Sequence, residues 1–262
     1  METKLFFIHL LSNMHVGSGE VNYGLIDNLI QRDPVTNLPT INASSLKGAL
    51  REHFEKCSQV KVDVTKIFGS EPKETTKRKP GALRFFDADL VSLAARCSGS
   101  DIPFVNVTSS TLLNRLANLY QDLGVSDVPC LKDLTSQSNR EVSVEDVGKV
   151  KYCNDENRSW MVGDHIAMID DDNQLKQLCD DTHLPIITRN QLDDGVSNNL
   201  FYDQVLPRYS HMSTIVMGDK PILDDFCNAL NNQIVQIGAH ATLGYGFCQF
   251  KCYPQPSNPQ QQ

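Results

Sequence analysis

The stretch of residues 22–51, NYGLIDNLIQRDPVTNLPTINASSLKGALR, constrains this chain more than any other. Asp27 and Asp33 make its loop acidic, Asp33-Pro34 makes a turn, and Pro39 leads into a short extended run. Ser44-Ser45 then stands where a serine oxygen can accept from the orphan amides of a helix's first turn. Leu46, Ala49, Leu50, His53, Phe54 and Cys57 recur at helical spacing, which predicts a helix over residues 45–58 with one apolar stripe. Lys47 and Arg51 are four apart and share a different face near the N-terminus. Free amides, the positive end of the helix dipole and two cations together suit a phosphate.

Upstream, residues 4–11 form a near-continuous apolar run with Phe6, Phe7 and Ile8, the pattern of a strand covered on both faces at the centre of a sheet. His15 follows beside Gly17 and Gly19, where the backbone can turn tightly and approach a ligand. Downstream, residues 70–81 read as a polar mobile loop and 82–91 as a second strand. Residues 109–123 read as a helix capped by Ser110, with Leu119 in its stripe and Gly124 as its stop. Residues 127–157 are polar and irregular apart from a strand at 141–144, and a further strand is expected at 160–169.

Asp170-Asp171-Asp172 reads as a turn or helix start, because adjacent carboxylates do not converge on one ion and no EF-hand spacing is present. A short strand at 184–188 precedes a projecting β-hairpin over 189–209. A strand at 213–217, a helix from Pro221 with Leu223, Phe226, Cys227 and Leu230 inward, an extended run at 234–237, a glycine-rich loop at 238–246 and a last strand at 247–253 complete the order. Residues 254–262, PQPSNPQQQ, are of low complexity and expected to be a disordered tail.

This order fits an α+β ferredoxin-like unit with insertions, one domain over residues 1–253. The same topology in RNA-recognition modules offers a sheet face to RNA. No strand here carries the aromatic string of those modules, so the sheet is not expected to be a stacking platform.

The chain has 262 residues, 40% of them hydrophobic, enough to bury a full core. The N-terminus has no apolar run long enough for a membrane helix and residues 5–11 are too short for a signal peptide, so the protein is expected in the cytoplasm. The 8 cysteines are scattered without a C-x-x-C pair, and read as small core residues rather than zinc ligands. A formal charge of −8 argues against nonspecific nucleic-acid binding. RNA binding would need the cations gathered on one groove, for which Lys47, Arg51, Lys73, Lys77, Arg78, Lys79, Arg84, Arg189 and Arg208 are candidates.

Residues 39–51, PTINASSLKGALR, resemble the first block of the RAMP superfamily of CRISPR proteins. His15-Val16-Gly17-Ser18-Gly19 and Ile26-Asp27-Asn28 resemble the start of the backbone subunits of type III effector complexes. Residues 236–246, QIGAHATLGYG, resemble their C-terminal glycine-rich motif. Arg189-Asn190 and residues 198–207, NNLFYDQVLP, resemble the type III-B (Cmr) version.

The resemblance implies a ferredoxin-like, RRM-like RAMP core with inserted loops and a protruding β-hairpin thumb carrying Arg189, Asn190, Asn199, Leu200 and Phe201. It implies that copies of the chain stack into a filament along one CRISPR RNA, together with other Cmr subunits and no membrane. His15, Gly17, Ser44, Ser45, Lys47, Arg51, Gly238, Gly244, Tyr245 and Gly246 would contact the RNA, the last through close approach of loop amides. Asp27 would act with a divalent metal, Mg²⁺ or Mn²⁺, to cut single-stranded target RNA at regular intervals.

Spacing alone makes Asp27 a turn-stabilising aspartate and His15 a loop histidine with a satisfied hydrogen bond. The resemblance is what gives them these roles. Ala239-His240 stands where the family usually shows Gly-Asn, and Phe201 replaces a commoner tryptophan. Two alternatives stay open: a catalytically silent RNA-binding scaffold, and a CRISPR RNA-processing endonuclease of the same superfamily. The latter would need a histidine base and no metal.

Overall fold

The computed structural model describes residues 1–19, 24–57, 62–70, 79–98, 101–125, 140–145, 147–153, 159–193 and 196–253. In chain order the first elements are β1 (Glu2–Leu10), β2 (Thr40–Ile41), α1 (Ala43–Lys56), α2 (Val64–Phe68), β3 (Arg84–Phe85) and β4 (Ala88–Ser98). Then come β5 (Phe104–Ser109), α3 (Ser110–Asp122), β6 (Glu141–Val144), β7 (Gly148–Cys153), α4 (Ser159–Val162), β8 (Ile166–Ile169) and α5 (Asp172–Leu178). The last are β9 (Ile186–Asp193), β10 (Val196–Gln204), β11 (His211–Gly218), α6 (Lys220–Leu230), β12 (Ile234–Gln236), a 3₁₀ turn (Ala241–Leu243) and β13 (Phe247–Tyr253).

The apolar run of β1 is central, as its pattern requires, with β13 on one side and β11 on the other. Alternate side chains of a strand point to opposite faces. Phe6 therefore meets Phe226 of α6 at 5.9 Å, while Phe7 meets Trp160 of α4 at 5.3 Å. Phe54 of α1 lies 5.7 Å from Phe226, so α1 and α6 cover the same face. Beyond β11 comes β4, and the strands β13, β1, β11 and β4 are antiparallel throughout.

Sequence reading missed a second unit. The C-terminal half of β4 leaves β11 and pairs with β5, β5 with β8, β8 with β7, β7 with β6, and β6 returns to β4 at Cys97 and Ser98. This closed five-stranded ring leaves no open edge among its members. It went unseen because β5 carries Asn106, Thr108 and Ser109, which break an apolar pattern. All three are buried and hydrogen-bonded, to Tyr209 O, Val91 O and Asp172 Oδ1. β7 lies in a stretch read as irregular, and residues 160–169 are a helical turn followed by β8 rather than one strand.

Other boundaries also shift. α1 starts at Ala43, so Ser44 and Ser45 lie inside its first turn and Asn42 holds the cap position. Ser109, not Ser110, caps α3, because β5 runs through to Ser109 and its Oγ accepts from Leu112 N–H at 3.0 Å. Leu119 is exposed and outside the α3 stripe. The strand expected at 82–91 is broken between β3 and β4. Residues 184–188 are not a separate strand, since β9 begins at Ile186 and belongs to the hairpin.

Asp171 caps α5, as a helix start should. The inward face of α6 is as expected. Cys227 and Cys252 form a buried disulfide between α6 and β13, which differs from the reading of every cysteine as a plain core residue. Cys179 and Cys248 are free thiols and buried, and Cys153 is buried as well. No helix among the described residues is long and apolar enough to cross a membrane. The tail at 254–262 and most of the loop at 70–81 lie outside the described residues.

Candidate nucleic-acid interface

As strands, β9 and β10 pair only with each other, so a hairpin stands apart from the main sheet as expected. It spans 186–204 rather than 189–209, because Val205 and Leu206 are buried and Leu206 bridges to Met14. Its base is fixed by Asp203, which is 2% exposed. A buried carboxylate needs partners. Asn28 Nδ2 donates to Oδ1 at 2.6 Å, Arg189 Nε donates to Oδ2, and His240 Nε2 lies 3.2 Å from the same oxygen. Burial would raise the Asp203 carboxyl, but the hydrogen bonds from Arg189 and Asn28 hold it below the usual carboxylate range. Burial and the Arg189 guanidinium lower His240. One residue thus joins three separated blocks: the Asp27 loop, the hairpin and the glycine-rich loop.

Asp27 is exposed beside this hub. Its Oδ2 accepts from Tyr202 N–H at 2.8 Å and its own amide donates to Tyr202 O at 3.0 Å, so β10 straps the loop in place. Its Oδ1 has no partner among the described residues. His15 is buried; its Nδ1 is 2.6 Å from Gln204 O, and its ring lies 5.6 Å from His240. His15 is thus the histidine with a satisfied hydrogen bond that spacing alone suggests, buried beside the hub. Gly17 O accepts from Gln31 Nε2 at 3.2 Å.

The glycine-rich loop departs from the expected cradle of amides. Ala239 N–H donates to His15 O, Gly246 N–H to Asn13 O, and Leu243, Gly244 and Tyr245 bond within the loop. A Cβ at Gly238 would lie 2.3 Å from His15 O and one at Gly246 1.9 Å from Ile237 O, so both glycines serve close packing of the protein on itself. Gly244, at φ +81, faces open space. The Tyr245 ring meets that of His240 at 5.9 Å.

The N-terminus of α1 is also partly occupied. Ala43 N–H donates to Asp87 Oδ1 at 2.6 Å and Asn42 N–H to Gln31 Oε1 at 2.8 Å. Ser45 Oγ accepts from Gln31 Nε2 at 3.0 Å, while Ser44 is exposed. Two of the four orphan amides and the dipole's positive end are thus met internally. Lys47 has no ion-pair partner among the described residues. Arg51 is engaged by Glu55 at 2.7 Å and Gly69 O at 3.2 Å, which fastens α1 to the end of α2.

On the hairpin, the Arg189 guanidinium lies 5.6 Å from the Phe201 ring, Asn190 and Asn199 are exposed, and Leu200 is 44% exposed. Of the other groove candidates, Lys79, Arg84 and Arg208 are exposed, and Lys73, Lys77 and Arg78 lie outside the described residues.

Sequence reading missed Asp203, Asn28, Gln31 and Gln204 as site residues, and treated His240 only as a departure. A charged residue inside the apolar run Phe201-Tyr202-Asp203-Gln204-Val205 was the available signal for Asp203.

The chain is 24% identical to the CRISPR system Cmr endoribonuclease Cmr4 of Pyrococcus furiosus, with 94% of each chain covered. It is 36% identical over 126 residues to the CRISPR system CMR subunit Cmr4 of Saccharolobus solfataricus, covering 46% of this chain and 39% of the relative. Its fold is similar to that of a chain in the type III-B Cmr-beta complex bound to cognate target RNA, with a TM-score of 0.76, 19% identity and coverage of 96% and 97% of the two chains. The RAMP superfamily profile matches residues 7–249, and the chain belongs to that superfamily.

Proposed function

We propose that this chain is the backbone subunit of a type III-B CRISPR effector complex, in which copies bind a CRISPR RNA along its length and cut complementary target RNA at regular intervals. The observation that carries this reading is the Asp203 hub, which holds the Asp27 loop, the hairpin and the glycine-rich loop together in a member of this family. Two relatives bear the names Cmr endoribonuclease and Cms endoribonuclease. The strands β13, β1, β11 and β4 with α1 and α6 are read as the ferredoxin-like core, and the hairpin as the thumb that separates successive segments of guide–target duplex. The cytoplasm is the compartment such a complex would work in.

Among the described residues no group of three His, Cys, Asp or Glu side chains could hold a metal by itself. The unpartnered Oδ1 of Asp27 fits the other mode, in which Mg²⁺ or Mn²⁺ takes one carboxylate and completes its shell with phosphate oxygens and water. Such an ion would supply charge to the scissile phosphate. The chain's own part is to fix Asp27 against β10, to place Lys47 for the RNA backbone, and to wedge Leu200 and Phe201 beside the bases.

Cleavage of a guide-complementary RNA by the reconstituted complex tests this. A ladder of evenly spaced products that disappears with a chelator is expected. A single cut in a guide-repeat hairpin that survives chelation would point instead to a processing endonuclease.

A further inference from the structure

The face of the central sheet opposite α1 and α6 carries a cavity of about 400 Å³ that none of the RNA contacts above uses. His211, 3% exposed, and His9 form its base, their rings stacked at 4.5 Å and 8° from parallel. Phe104 and Tyr209 make one wall, stacked at 4.7 Å and 14°. Trp160 contributes another, with Lys251 Nζ 5.7 Å from its ring centre. Burial and the neighbouring His9 push His211 down to about 3, and burial also lowers His9, so both imidazoles are uncharged at neutral pH.

The side chains of His9, Asp164 and Lys251 line this space and have no hydrogen-bond partner among the described residues. Tyr209 holds a left-handed backbone, φ +71, unusual for a bulky residue. Its amide donates to Leu10 O at 2.7 Å and its carbonyl accepts from Asn106 Nδ2 at 2.6 Å.

Flat aromatic walls, uncharged imidazoles, one carboxylate and one ammonium suit a planar ligand with both donors and acceptors on its edge, bearing an anion. A nucleotide base with its phosphate has that chemistry. From Tyr209 the preceding residue leads toward the glycine-rich loop. The Arg208 guanidinium lies 5.0 Å from the Tyr209 ring, Arg208 N–H donates to Asn13 Oδ1 at 3.0 Å, and Asn13 O accepts from Gly246 N–H at 2.8 Å.

We infer that this cavity takes one unstacked base of the bound RNA, against Phe104 and Tyr209, an inference that rests on the RNA-binding reading above. The five rings come from β1, β5, α4, β11 and the residues just before β11 rather than from one strand, which is why no aromatic string announced them.

Trp160 is the only tryptophan of the chain, so its fluorescence reports on this cavity. Titration of the full chain with adenosine 5′-monophosphate should quench it saturably, ribose 5-phosphate should not, and prior binding of guide RNA should block the response. Phe104→Leu and Asp164→Ala should each weaken the response at least fivefold with an unchanged melting temperature.

Equal quenching by ribose 5-phosphate, or a response that persists with guide RNA bound, overturns the inference. Guide binding with a normal salt dependence but no Trp160 response to nucleotide or RNA overturns the cavity and leaves the proposed function standing. Failure to bind guide RNA at all overturns both.

Discussion

A carboxylate that is 2% exposed is tolerated only when its oxygens are met, and Asp203 meets that demand with Asn28, Arg189 and His240. Asp203→Ala leaves a half-buried guanidinium without its acceptor and releases the Asp27 loop. A loss on the order of 3 kcal/mol in chemical denaturation is expected, as for breaking a buried pair.

The pH dependence has a definite sign. The folded carboxyl lies below its unfolded value near 4, so its contribution is present above about pH 4 and is lost as pH falls through the lower folded value. The stability gap between the wild type and Asp203→Asn should therefore be wider at pH 7 than at pH 3. A gap of equal size at both would mean that the charge does not hold the hub.

Little of this hub could be read from the chain. Asp203 stands in a readable segment, but Asn28 lies 175 residues away and nothing local pairs the two. Asp27 and His15 were legible only through the resemblance, because a turn aspartate and a loop histidine look the same in any sequence.

At the scale of elements, β1, β13 and α6 were legible since a continuous apolar run or a clean helical stripe has one reading. The ring of β4, β5, β8, β7 and β6 was not, because its buried polar residues are satisfied by partners far along the chain. α1 was legible in its stripe but not in its terminus, where Asp87 and Gln31 supply the caps.

The different engagement of Lys47 and Arg51 has a measurable consequence. Lys47→Ala should lower guide affinity and reduce the slope of log affinity against log salt by about one phosphate contact. Arg51→Ala should leave that slope unchanged and lower the melting temperature, since it holds Glu55 and the carbonyls after α2. Equal slopes for wild type and Lys47→Ala would remove Lys47 from the interface.

The hairpin gives a third test. Its tip can be exchanged, but Tyr202 must stay, because its backbone straps Asp27 and Asn28. Replacing residues 196–201 with a Gly-Ser linker should leave the rest of the chain folded by circular dichroism, lower guide affinity modestly and abolish the even spacing of cuts. Evenly spaced products from this variant would contradict the thumb.

For the whole molecule, a formal charge of −8 is compatible with RNA binding because several of the acids are engaged away from the hub. Asp171 caps α5, Asp172 accepts from Ser109, Asp170 pairs with Lys151, and Asp224 with Lys4. Lys47 is half-buried on the first turns of α1 and Arg208 is exposed just before β11. On the proposed function, a single acidic chain would bind its guide by local cations and shape, and stacking of copies would multiply one cut into a series.

That claim is tested most directly by denaturing-gel analysis of target cleavage by complexes assembled with Asp27→Ala in place of the wild-type chain, at equal guide occupancy. The account predicts that the evenly spaced products vanish while guide binding and assembly stay at wild-type levels. The same ladder at the wild-type rate would contradict it.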